Sequence, residues 1–383
     1  MRVCHVITGL LEHGAERMLA KTSIALRSLG IESSVISLMP VTPLADEMIG
    51  SGIRVYSLNL SRGRANPSSI YQLSKLIREI DPDILQGWMY HGNLAATLGA
   101  ITSLSRAPVI WNIRQTLYEL ANEKRLTRAV IRLSSATSSQ PKFIIYNSSL
   151  SARQHEKHGF PPAKSIFIPN GFDTHLFSPK KTPEILMGVP SFNSHPFTIG
   201  LAARFHPMKD LHTFFRAARI VANNKPNVRF RVAGAGLDQS NTELLSLINE
   251  EGVSEKVELL GKQTNMVDFY RSLDALALTS AWGEAFPNVL GEAMSCGIPC
   301  VSTDVGDAAN IIGKTGFIVP ARSPEKLAGC LMQLIDDSPT SRTTRKLDSR
   351  EKVIQNYSLP TIAAQYAELY RSVLGSIHES AKP

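Results

Sequence analysis

Short apolar runs, each closed by a turn residue, alternate along this chain with longer stretches whose apolar positions recur every three or four residues. That alternation predicts parallel strands joined by crossover helices: a strand covered on both faces reads as an unbroken apolar run, and the helix covering it is amphipathic. In the first half the expected strands are Arg2–Thr8, Ser33–Leu38, Arg54–Leu58, Ile84–Gly87, Val109–Ile113, Phe143–Asn147 and Ser165–Ile168. In the second half they are Phe197–Ala203, Val228–Ala233, Val257–Leu260, Ala275–Thr279, Pro299–Thr303 and Gly316–Val319. Between the two series, Pro179–Pro196 loses its periodicity and gains Pro and Ser, as a linker does. An amphipathic helix, Leu359–Leu374, closes the chain after Tyr357. The expected class is therefore α/β, with two doubly wound, Rossmann-like domains at residues 1–180 and 197–356 and a linker at 181–196. The carboxyl ends of both sheets are expected to face a central cleft, where open parallel sheets bind ligands.

Composition agrees with this division. A chain of 383 residues exceeds what one hydrophobic core usually serves. With 43% hydrophobic and 19% charged residues it reads as globular, and no tandem repeat points to a solenoid. The start M-R-V-C-H-V-I-T-G-L reads as a first strand, not a signal peptide, and no run of about twenty apolar residues follows anywhere. The expected location is the cytoplasm. Cys4, Cys296, Cys300 and Cys330 lack metal-binding or disulfide spacing and are expected as buried free thiols.

Charge changes the picture more. Residues 1–200 hold 21 Lys and Arg against 13 Asp and Glu, while residues 201–383 hold 20 against 20, so the net +8 lies in the first half. Such an imbalance fits an anionic membrane, a nucleic acid, an acidic substrate or a solvated surface. Within residues 122–132, Lys124, Arg125, Arg128 and Arg132 lie among apolar residues at helical spacing, a candidate anionic-lipid surface to which Arg62, Arg64 and Arg106 could add. Nucleic acid is disfavoured, because no aromatic and basic interleaving accompanies the charge.

The most informative chemistry lies in G-E-A-F-P-N-V-L-G-E-A-M-S-C-G-I-P, residues 283–299. A loop is expected through Asn288 and a helix from about Val289 to Cys296, stopped by Gly297 and Pro299. Asn288 and the unpaired amides of the helix start would suit a phosphate. Glu284 and Glu292 are eight residues apart, roughly 10 Å or more over mostly helical rise. Glycosidase acid and base pairs sit at about 5–9.5 Å, so these two carboxylates read as separate contacts on one elongated ligand.

In G-L-A-A-R-F-H-P-M-K, residues 200–209, a strand runs into a loop bearing Arg204 and Lys209, a planar fork and a mobile point charge able to meet on a diphosphate. Near the amino terminus Gly9 and Gly14 occupy the first strand-to-helix turn, but the G-x-G-x-x-G spacing of a dinucleotide enzyme is absent. His91, in W-M-Y-H-G-N, reads as an acceptor-side or proton-transfer group or as a structural histidine. Arg114 follows another strand end. Asn170 and Gly171, in I-P-N-G-F-D, read equally as a tight turn or a close approach to substrate. No H-E-x-x-H, paired Cys or D-x-D motif holds a metal, and Asp81-Pro82-Asp83 reads as structural.

Together these motifs resemble the family-4 retaining glycosyltransferases of the two-domain GT-B fold, over nearly the whole chain. The resemblance implies that Glu284 contacts a donor sugar, Glu292 a ribose, and Arg204 with Lys209 the diphosphate. It implies backbone donors to sugar and phosphate from Ala285, Phe286, Pro287, Asn288 and Val289. H-G-A-E-R-M-L resembles the family's opening G-G-A-E-R, with His13 at the first glycine place and Gly14 at the second. The family often has an active-site histidine where Arg114 stands, and G-D-A-A-N replaces its G-G-x-x-E; both variants are similar to a bacterial surface-polysaccharide subgroup. The terminal helix, residues 357–383, is implied to cross back to the first domain. The reading is metal-independent transfer, with retention, of a hexose or N-acetylhexosamine from a UDP-sugar to a glycan acceptor, lipid-linked and used at the inner membrane face. Rival readings are a nucleotide-sugar 2-epimerase or hydrolase on this fold and a basic nucleic-acid-binding protein.

Overall fold

The computed structural model describes residues 1–11, 14–61, 67–118, 120, 124–180 and 195–380, with side chains as far as 376. The chain divides into two compact units, residues 1–171 with 359–383, and residues 172–358.

The first unit runs β1 (Arg2–Ile7), α1 (Gly14–Arg27), β2 (Glu32–Ser37), α2 (Pro43–Gly50), β3 (Arg54–Ser57), α3 (Pro67–Ile80), β4 (Ile84–Trp88), α4 (Met89–Ser103), β5 (Val109–Ile113), α5 (Arg125–Thr137), β6 (Phe143–Tyr146), α6 (Ser149–Glu156) and β7 (Ser165–Phe167). Its seven strands are parallel in the order β3-β2-β1-β4-β5-β6-β7. The order reverses at β1 and β4, so loops after these two strands open apart at the carboxyl edge.

The second unit runs β8 (Phe197–Ala202), α7 (Leu211–Asn224), β9 (Val228–Ala233), α8 (Thr242–Glu250), β10 (Val257–Gly261), α9 (Met266–Arg271), β11 (Ala275–Leu278), α10 (Asn288–Ser295), β12 (Cys300–Thr303), α11 (Ala308–Ile312), β13 (Phe317–Val319), α12 (Pro324–Asp336) and α13 (Pro339–Tyr357). Its six parallel strands follow the order β10-β9-β8-β11-β12-β13, reversing between β8 and β11. Each of the thirteen expected strands is present, with ends shifted by at most one residue.

The last helix, α14 (Leu359–Ser380), returns to the first unit. Ile362, Ala363, Tyr366, Ala367, Tyr370 and Val373 form its buried face and join Val3, Ile84, Ile110 and Ile145 of the sheet. Burying aliphatic side chains such as Ile362 and Val373 contributes about 1.5–3 kcal/mol each, which helps to hold this helix to a sheet far from it in sequence.

The boundary between units differs from the sequence expectation. It falls at Gly171 and Phe172, so residues 172–180, expected in the first domain, pack in the second. The cause is aromatic: Phe172 stacks on Phe286 at 6.2 Å between ring centroids, and Phe177 meets Tyr270 at 6.0 Å. Arg350 of α13 then ties Thr174 and Phe177 by donating to their carbonyls. Of the expected linker, residues 181–194 lie outside the described residues, as do Arg62, Arg64 and His13.

The expected structural role of Asp81-Pro82-Asp83 is seen in the first unit, where Asp83 accepts from the Arg2 amide at 2.6 Å and Asp81 pairs with the Arg2 guanidinium at 2.9 Å. All four cysteines are free thiols, three of them buried, and burial pushes Cys4 and Cys296 up to about 12.

Candidate functional site

In the second unit the sheet reversal gathers three loops at the carboxyl edge. The loop after β8 carries Arg204 and Lys209, that after β11 carries Glu284, and that after β12 carries Gly306. Lys209 Nζ donates to Glu284 Oε1 at 2.5 Å, and both side chains are mostly buried, 15% and 13% exposed. The same oxygen accepts from Ser280 Oγ at 2.7 Å. A lysine and a glutamate 75 residues apart in sequence thus meet at one carboxylate oxygen.

The loops are held from beneath by polar residues at the ends of β11 and β12. Thr279 Oγ1 donates to the Lys209 carbonyl at 2.7 Å, and the Ala281 amide donates to the Met208 carbonyl at 2.8 Å. Thr303 Oγ1 donates to the Ser280 carbonyl at 2.7 Å, and the Asp307 amide to the Ala285 carbonyl at 3.0 Å. Gly306 makes the last contact feasible. Its φ of 56° is left-handed, and a Cβ there would lie 2.4 Å from the Ala285 carbonyl oxygen. Gly234 plays the same part for the Arg204 loop, since a Cβ on it would fall 1.5 Å from the Ala203 carbonyl oxygen. Ala203 and Phe205 amides pair with the Ala233 and Ala235 carbonyls on either side of it.

Arg204 is exposed and makes no ion pair or hydrogen bond with any described residue, so its guanidinium is open to a ligand at the same carboxyl edge. Helix α10 begins at Asn288, one residue before the expected start, behind Pro287, which gives it no side-chain cap. Ala285, Phe286 and Pro287 are buried, and the Phe286 ring packs against Phe172 and Tyr357. Side chains in this loop therefore serve the core, and the Ala285 carbonyl ties its backbone to the loop after β12. About one turn along α10, Glu292 accepts from Tyr270 OH at 2.8 Å. Tyr270 is fully buried, and burial together with the Glu292 carboxylate pushes its pKa well above the ordinary phenol value. The two glutamates thus have different partners and separate surroundings.

The candidates of the first unit are divided by burial. Gly14 opens α1 beyond the carboxyl end of β1. His91, on the first turn of α4, keeps an exposed edge, while partial desolvation lowers its pKa. Arg114 is 8% exposed and turned inward. Its Nε and Nη2 donate to Asn170 Oδ1, its Nη1 to Asn112 Oδ1 at 3.2 Å and Tyr366 OH at 2.9 Å, and Nη2 also to the Ile168 carbonyl. The guanidinium lies over the Trp88 ring at 5.7 Å. Neutral partners thus take its N–H groups, and burial lowers its pKa. Asn170 is spent on Arg114. Gly171 faces the last helix, where a Cβ would lie 2.9 Å from Leu359 Cδ2. The close approach at this glycine is to α14.

Ser280, Thr279, Tyr270 and Gly234 escaped the sequence reading. The pair Thr279-Ser280 at a strand's end just before a Glu-bearing loop is a usable signal, and so is A-G-A-G after β9. Tyr270 has none, because its hydroxyl reaches Glu292 only through packing of α9 on α10.

Residues 196–337 match the glycosyl transferases group 1 family, and residues 13–176 match glycosyltransferase family 4. Among curated proteins the chain is 28% identical, over 226 residues, to a D-inositol 3-phosphate glycosyltransferase of Corynebacterium urealyticum, covering 55% of this chain and 52% of that protein. It is 24% identical over 217 residues to the lipopolysaccharide core biosynthesis mannosyltransferase LpsB of Rhizobium meliloti, covering 54% and 60%. The chain thus spans about half the length of the curated relatives it matches. Anabaena HepE, solved in complex with UDP, superposes with a TM-score of 0.81 at 20% identity, covering 97% of this chain and all of the other. One family matched over most of the first unit, another over most of the second, and the same fold throughout place this chain in the family-4, group 1 glycosyltransferases of the GT-B fold.

Proposed function

We propose that this protein is a retaining glycosyltransferase that moves a hexose or N-acetylhexosamine from a UDP-sugar to a glycan acceptor in the synthesis of bacterial surface polysaccharide. The observation that carries the reading is the meeting of Lys209, Glu284 and Ser280 at the reversal point of the second sheet, with Arg204 exposed in the same loop as Lys209. A nucleoside diphosphate suits that point. Two cations and the uncapped start of α10 offer countercharge and donors to phosphate oxygens, and Glu292, held by Tyr270, offers an acceptor for a ribose hydroxyl. UDP as the nucleotide is supported by its presence in the structurally similar HepE.

In this reading the bond from the anomeric carbon to the diphosphate oxygen breaks as charge builds on the diphosphate, and Arg204 and Lys209 stabilise that charge without a required divalent ion. The acceptor oxygen bonds to the same face of the sugar, and its proton passes to the departing diphosphate. Configuration is retained and no protein nucleophile is used. Glu284 holds the sugar hydroxyls.

The acceptor is proposed to be lipid-linked, at the cytoplasmic face of the inner membrane. Support comes from α5, where Leu126 and Leu133 are 81% and 53% exposed beside exposed Lys124, Arg125 and Arg132. No helix among the described residues is long and apolar enough to cross a membrane.

A thermal-shift screen of nucleotide sugars tests the donor, followed by transfer assays of Arg204→Ala, Lys209→Ala and Glu284→Ala. UDP-sugars are expected to raise the Tm, and each variant to lose about 100-fold or more in transfer while remaining folded. Wild-type turnover in any of the three would remove its assigned role. Epimer formed from a UDP-sugar alone would replace the reading with a 2-epimerase.

A further inference from the structure

We propose that Glu284 and Ser280 form a release device for the nucleoside diphosphate, in which Glu284 competes with the diphosphate for Lys209; this deepens the donor reading above and rests on it. The Lys209–Glu284 pair is close, 2.5 Å, and mostly shielded from solvent, so its attraction is stronger than that of a surface pair. Ser280 is fully buried and donates to the oxygen that Lys209 also contacts. Glu284 is therefore anchored at its Oε1 and cannot swing away from the lysine. Thr279 adds a second constraint by binding the Lys209 carbonyl, which holds the base of the lysine beside the glutamate.

One ammonium cannot give its full charge to a carboxylate and a diphosphate together. While the sugar is attached, its hydroxyls occupy Glu284 and draw charge density from it, so Lys209 is free to serve the phosphates. Once the sugar has left with the acceptor, Glu284 regains its hold on Lys209 and weakens the grip on the diphosphate. The enzyme then discriminates donor from spent nucleotide by whether a sugar covers Glu284, without a separate moving part.

Titration calorimetry with UDP and with the UDP-sugar that the donor screen selects tests this on the wild type, Glu284→Gln, Ser280→Ala, Lys209→Met and the double variant Lys209→Met with Glu284→Gln. Glu284→Gln is expected to bind UDP roughly three- to tenfold more tightly than the wild type, the scale of one shielded ion pair, while its preference for the sugar-bearing donor over UDP shrinks. Ser280→Ala, which loosens the carboxylate without removing its charge, is expected to move UDP affinity the same way by less. In the Lys209→Met background the glutamine is expected to change nothing. UDP affinity that is unchanged or weaker in a folded Glu284→Gln protein, or a gain that persists without Lys209, overturns the device and leaves the donor reading intact. A wild type that binds neither UDP nor any other nucleoside diphosphate overturns both.

Discussion

Two histidines of the first unit show how strongly surroundings decide a residue's chemistry. His155 is fully buried, with Tyr90 OH donating to its Nε2 at 2.6 Å and its Nδ1 donating to the Ser151 carbonyl at 2.7 Å. Tyr146 and Phe160 pack around its ring. Burial pushes its pKa down to about 4, and that of His5, fully buried against Trp88, down to about 3. The unfolded chain takes up these protons near pH 6.5, and the folded chain refuses them until far lower. Stability is therefore complete above about pH 6.5 and falls as pH drops from there toward 4. Tm measured between pH 7 and 4.5, followed by fluorescence of the buried Trp88 and Trp111, is expected to decline, and His155→Phe to flatten the decline. A wild-type Tm independent of pH over that range would contradict it. No sequence feature distinguishes His155 from the exposed His91, since only burial separates them.

Among the elements, the last helix was expected from its periodicity, and its reason for being held is polar as well as apolar. Tyr366 OH receives Asn112 Nδ2 at 2.8 Å and Arg114 Nη1 at 2.9 Å, and Tyr370 OH donates to Gln86 Oε1. Tyr366→Phe would leave a buried guanidinium short of an acceptor, so a loss of about 1–3 kcal/mol is expected in urea unfolding of the first unit. No measurable loss would show that Arg114 finds another acceptor without cost. Helix α13 was missed because its stretch, P-T-S-R-T-T-R-K-L-D-S-R-E-K-V-I-Q-N-Y, is polar nearly all round. Its few buried positions, Ser349, Val353 and Tyr357, offer little periodicity, and its place depends on packing against α10 and on the arginine hydrogen bonds to residues 174 and 177.

At the scale of the whole molecule, the positive charge of residues 1–200 matters more than any single arginine. Long-range attraction to an anionic surface sums over many cations and is screened within about 8 Å at physiological salt. If α5 seats the first unit on a bilayer, flotation is expected with vesicles of about 30% anionic phospholipid and not with neutral vesicles, and 0.5 M salt is expected to release the protein. Leu126→Asp with Leu133→Asp is expected to abolish flotation while leaving UDP binding unchanged. Equal binding to neutral vesicles would remove the electrostatic argument.

The order of strands and helices, the two sheets and the placing of Arg204, Lys209 and Glu284 in loops after strands, with Glu292 on the helix that follows, were legible in the sequence, because each rests on local periodicity or on a motif only a few residues long. Tertiary structure alone decided which of those residues meet. Lys209 reaches Glu284 across 75 positions, Ser280 fixes the glutamate, and Tyr270 fixes Glu292. It also turned Arg114 inward and moved the unit boundary to Gly171, where aromatic packing prevails over the Pro-rich composition downstream. Contacts of that range depend on how sheets and helices stack, and a linear pattern carries no record of them.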